Sequence, residues 1–126
     1  MGPAERFDPT RALPGWFAGD PPTEFVPLLE EIAAAVRPES LRTQLLVMAE
    51  TDQRDLLPHI SVPTLLIWGE LDARSPLGVA RQFARAIPDT QLVVIPGCGH
   101  VTNLEQPGQF NETVREFCRA HSPGRS

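Results

Sequence analysis

Two short, uninterrupted apolar runs set the terms on which this chain can fold. Thr64-Leu65-Leu66-Ile67-Trp68 follows Pro63 and is closed by Gly69, and Gln91-Leu92-Val93-Val94-Ile95 is closed by Pro96-Gly97. A strand with one wet face alternates apolar and polar residues, whereas continuous hydrophobicity predicts a strand covered on both faces, as in a parallel sheet. Between the runs, Val79, Ala80, Phe83 and Ile87 recur at helical spacing. Ser75-Pro76 reads as the opening of that helix, with Ser at the cap and Pro at the first helical position, and Pro88-Asp89 as its stop. Strand, helix and strand make a βαβ unit, whose strands run parallel with a right-handed crossover.

The residues on either side read as helices. Phe25, Leu29, Ile32 and Val36 form one stripe at the 3.6-residue period, with Thr23 as N-cap and Pro27 tolerable only in the first turn. Pro38 ends this helix and opens another, marked by Leu41, Leu45 and Met48 and running to about Thr51. Asp52-Gln53-Arg54-Asp55 is a polar break. A last helix opens near Pro107 and carries Phe110, Val114, Phe117, Cys118 and His121 on one side.

Proline placement suggests the divisions. Pro3, Pro9, Pro14, Pro21 and Pro22 crowd residues 1–22 and predict an extended or irregular segment, in which Trp16-Phe17 reads as an anchor or a lid element. A helical segment over 23–54 follows, then an α/β segment over 55–121. Residues 122–126 read as a disordered tail.

Charge and composition narrow the function classes. A net charge of −5 with no basic patch argues against nucleic acid and against an anionic membrane surface. No apolar run approaches the length of a membrane span, and the amino terminus lacks a signal-peptide pattern, so the cytoplasm is expected. Cys98 and Cys118 make no disulfide framework and read as buried free thiols. His59, His100 and His121 are scattered without zinc-type spacing, so neither metal nor cofactor is expected.

Open parallel sheets bind ligands beyond the carboxyl ends of their strands. Gly69-Glu70-Leu71-Asp72 and Pro96-Gly97-Cys98-Gly99-His100 leave two such ends. Neighbouring strands lie roughly 4.8 Å apart, so these loops can bring a carboxylate to an imidazole. A carboxylate on one ring nitrogen fixes the tautomer and frees the other nitrogen to act as a base. Glu70 competes with Asp72 for the acid position. His59, in a linker, and His121, at a helix end, have ordinary structural readings.

Trp68-Gly69-Glu70-Leu71-Asp72 resembles the acid-bearing loop of α/β-hydrolases. Gly97-Cys98-Gly99-His100, with Asn103-Leu104-Glu105-Gln106-Pro107 and Phe110, resembles their histidine loop and last helix. The order, acid before base, also matches. The likeness covers about Asp55–His121, and the helices from Thr23 to Thr51 are similar to the end of a lid domain. It implies an α/β class: a partial α/β-hydrolase fold, a parallel βαβ unit with flanking helices and two amino-terminal lid-like helices. It implies a hydrolase of an ester, lactone or similar acyl bond in a small molecule, with Asp72 as acid and His100 as base.

The family's G-x-S-x-G elbow is absent from this sequence, as are its oxyanion-hole segment and first several strands. Ser40 and Ser75 have helix-opening contexts, and Ser61 sits in a proline-bounded linker. Cys98 stands two residues from His100, too close in a tight loop to aim at it, and reads as packing beneath the loop. A minimal hydrolase using Cys98 is a third reading. The sequence thus reads as a truncated hydrolase, inactive alone, or alternatively as a non-catalytic interaction module. Either way an unpaired strand edge should drive association, as a homodimer or with a complementing upstream half.

Overall fold

The computed structural model describes residues 15–122. Residues 1–14 and 123–126, including most of the irregular segment and of the tail expected above, lie outside the described residues. Contacts divide the chain into two units: one holds Asp20–Arg54, the other Gly15–Gly19 together with the residues from Asp55 onward.

The first unit is helical. A 3-10 turn, Thr23–Phe25, leads into α1 (Val26–Ala35), with Pro27 at the start where its missing N–H is harmless. The cap is Phe25 rather than Thr23, because the 3-10 turn lets the Phe25 amide donate to Pro22 O. Leu29 and Ala33 are buried, but Ile32 is 53% exposed, so the covered face is narrower than the apolar stripe. α2 (Pro38–Glu50) begins at Pro38 as expected. It buries no residue, and Leu45, Leu46, Val47 and Met48 are all exposed.

The second unit is built on β1 (Thr64–Gly69) and β2 (Thr90–Ile95), which pair in parallel as a two-stranded sheet. The register runs from Thr64 opposite Thr90 to Gly69 opposite Ile95, so both strands end level. α3 (Leu77–Ala86) connects them and packs on both. A single-turn helix, α4 (Thr102–Glu105), and the long α5 (Pro107–His121) complete the unit, and α5 also touches both strands. Ala80, Ile87, Ile95 and Cys98 form the core, each at most 3% exposed, and Phe17 joins the buried set. Trp68 belongs to this packing: its indole N–H donates to Ser75 O at 2.6 Å and its ring faces Phe83.

Several local expectations change. The linker before β1 contains a 3-10 helix, Arg54–His59. Residues 64–68 of β1 are only half-buried, because among the described residues just one strand neighbours it. Cys118 is exposed, unlike Cys98. α3 begins at Leu77 with Pro76, not Ser75, at the cap position and without a side-chain cap bond.

Candidate active site

Level strand ends place the two loops side by side, and backbone hydrogen bonds extend the pairing past the strands. The Glu70 amide donates to Ile95 O at 3.0 Å and the Leu71 amide to Cys98 O at 2.8 Å. Such close approach leaves no room for a side chain at Gly69. A Cβ there would overlap the carbonyl groups of Gly99 and Cys98. Glycine is required by the approach of one loop to the other, not by an unusual dihedral angle.

Asp72 sits at the end of this zipped segment with a side chain only 5% exposed. Burying a carboxylate is costly unless its oxygens are hydrogen-bonded. Here Oδ1 accepts the amides of Arg74 and Ser75, at 2.9 and 2.8 Å, which turns the loop around the acid. Oδ2 faces His100 Nδ1 at 2.9 Å. A carboxylate only accepts, so the contact assigns a proton to Nδ1 and leaves Nε2 for other chemistry. The imidazole is 39% exposed, and among the described residues no protein group bonds its Nε2. An oriented, accessible imidazole backed by a buried carboxylate can take a proton from a hydroxyl and be supported as imidazolium.

The competing residues are placed elsewhere. Glu70 Oε2 accepts the Gly97 amide at 2.9 Å, so it braces the histidine loop instead of meeting the imidazole. Cys98 is fully buried, with Sγ donating to Glu105 Oε2 at 3.6 Å. Burial first, then the nearby Glu105 carboxylate, push its thiol up to about 11, which keeps it protonated and poorly nucleophilic at neutral pH. His121 Nδ1 lies 2.9 Å from Phe117 O within the last turn of α5, consistent with a structural role. Among the described residues no group of side chains could hold a metal ion, and no helix is long and apolar enough to cross a membrane.

Two partners of the histidine loop were not anticipated. Trp16 O accepts the amides of His100 and Val101, at 2.8 and 3.1 Å. Glu105 accepts from Gly99 and Ala18. The available signal was an acid five residues after His100, beside a glycine-rich loop whose amides need acceptors.

The chain is similar to known proteins in sequence and in fold. Over 80 residues the chain is 32% identical to a pimeloyl-[acyl-carrier protein] methyl ester esterase of Vibrio vulnificus, a match covering 64% of this chain and 31% of that protein. A thermophilic esterase of Thermogutta terrifontis superposes with a TM-score of 0.72 at 34% identity, over 89% of this chain and 43% of that one. An esterase of Exiguobacterium antarcticum shares the fold at a TM-score of 0.81 and 22% identity, over 88% and 41% of the two chains. The chain thus spans about a third of the length of the curated relatives it matches. The model of the alpha/beta hydrolase family matches residues 1–113. Parallel strands that end level, an acid and a base on their exit loops, and this family match together place the chain in the alpha/beta hydrolase family.

Proposed function

We propose that the chain carries the acid–base half of an acyl-bond hydrolase, with Asp72 orienting His100 and His100 activating a serine that this sequence does not hold in an elbow motif. The observation that carries the reading is the 2.9 Å contact between Asp72 Oδ2 and His100 Nδ1, made by a buried carboxylate to an accessible imidazole. The esterase names of the relatives favour a small ester as substrate. The cytoplasm is the compartment this reading assigns, resting on two unpaired cysteines.

The partner in this reading is an upstream half bearing the nucleophile, joined to the outer edge of β1. The test mixes this chain with the upstream half of an esterase relative and follows p-nitrophenyl acetate hydrolysis. The chain alone should match buffer, and the mixture should turn the ester over. Continued silence of a demonstrably assembled mixture would sink the reading.

A second reading, a non-catalytic module that pairs with itself, is favoured by a different observation. The outer edge of β1 carries no strand among the described residues, and Leu45, Val47 and Met48 stand exposed on α2. Edges of this kind template pairing with another chain. Light scattering on a sizing column at micromolar concentration should give twice the chain mass, and a folded monomer would rule it out.

A further inference from the structure

Glu105 is a half-buried carboxylate at the end of α4 whose hydrogen bonds go to neither Asp72 nor His100. Its two oxygens nevertheless divide between two backbone segments far apart in sequence. Oε2 accepts the Gly99 amide at 2.6 Å, one residue before the imidazole. Oε1 accepts the Ala18 amide at 2.8 Å, 87 residues away along the chain. The same Oε2 is the acceptor for the buried Cys98 thiol. Hydrogen bonds to an ionised acceptor are about twice as strong as neutral ones.

The segment so held is itself bonded to the base. Trp16 O accepts the amides of His100 and Val101, so residues 16–18 and the histidine loop are joined at both sides of the imidazole's Cα. The fit is tight: a Cβ at Gly99 would lie 2.6 Å from Ala18 N and from Phe17 C, and 2.9 Å from Glu105 Oε2. The loop is therefore anchored at several points, beginning with Glu70 Oε2 on the Gly97 amide. Leu71 N reaches Cys98 O from the acid side, Trp16 O takes the His100 amide, and Glu105 takes the Gly99 amide between them. Of the side-chain anchors Glu70 and Glu105, it is Glu105 that accepts amides from both the loop and the 16–18 segment.

We propose that Glu105 is a positioning residue for the acid–base pair: its carboxylate clamps the Gly99 amide to the Ala18 amide and thereby holds His100 Nδ1 against Asp72. This rests on reading His100 as the base, but its test uses no turnover. The experiment is proton–nitrogen NMR on the full chain, following the downfield Nδ1–H resonance of His100, with Asp72→Asn as the reference in which that resonance is lost. In Glu105→Gln one of the two acceptors becomes an amide donor facing a backbone N–H. We expect hydrogen exchange at Gly99 and Ala18 to quicken at least tenfold, and the Nδ1–H resonance to broaden away while the rest of the amide spectrum stays dispersed. Glu70→Gln is the matched control, since it loosens the same loop at Gly97 and should leave the resonance in place. The proposal is overturned by a Glu105→Gln protein that keeps the resonance, by equal loss in Glu70→Gln, or by a parent chain that shows no such resonance. Should Glu105→Gln fold poorly, Glu105→Asp, which can reach only one of the two amides, gives the same reading. Silence in the ester assay alongside these expected spectra would count against the enzyme reading and leave the clamp standing.

Discussion

Asp72→Asn should lower ester turnover of the complemented hydrolase by roughly four orders of magnitude, the scale expected when the base is held in the wrong tautomer. The structure says why the amide cannot simply substitute. The Oδ1 site is surrounded by two N–H donors, from Arg74 and Ser75. An asparagine must place its carbonyl oxygen there to satisfy them, which turns its NH2 toward His100. Two donors cannot share one hydrogen bond, so Nδ1 must become the acceptor and the ring proton moves to Nε2, the atom that the proposed mechanism needs as the proton acceptor. Rates for the parent and the variant, measured on the same complemented assembly, check this. A loss below tenfold would mean that the contact does not set the tautomer. His100→Ala should lose at least as much, since the members of such a constellation act as a unit.

The second large effect is on stability. Gly69→Ala should lower the melting temperature by about 10 °C or more, on the basis of about 3 kcal/mol for forcing atoms into a filled site of a small domain. The obstructing groups are the carbonyls of Gly99 and Cys98, part of the backbone that carries the base, and cannot rotate aside. Relief requires parting the two loops, so the Asp72–His100 contact should open with it. Gly78→Ala is the control: nothing lies within 4 Å of a Cβ there, in the first turn of α3. Alanine is favoured over glycine in helices by up to about 1 kcal/mol, so this variant should melt at the same temperature or higher. Thermal unfolding followed by circular dichroism distinguishes the two, and unchanged melting of Gly69→Ala would contradict the packing described.

The βαβ unit was legible because its signal is local. Continuous apolar runs, a proline before one and Pro-Gly after the other, and a 3.6-residue stripe between them leave little choice. The meeting of Asp72 with His100 was legible at one remove, through the rule that parallel strands present their carboxyl ends on one side of a sheet. What stayed hidden depended on partners distant in sequence. The acid five residues after His100 hinted at the Gly99 contact, but nothing near Glu105 announces that it also serves Ala18, and nothing near Trp16 announces that its carbonyl meets the His100 loop. Ser75-Pro76 is a common helix opening, but Pro76 keeps an extended ψ of 154° and itself becomes the cap, so the helix starts at Leu77. Ile32 and Cys118 were misplaced because periodicity marks an apolar face without showing that anything covers it.

The backbone bonds from Glu70 to Ile95 and from Leu71 to Cys98, with the brace from Glu70 to Gly97, have a mechanical consequence. Acid and base are not mounted on two arms that must find each other. They share one stiff plate made of the sheet end and its stitched loops. A displacement that carries His100 therefore carries Asp72 with it. The pair thus behaves as a cartridge with its internal alignment already set.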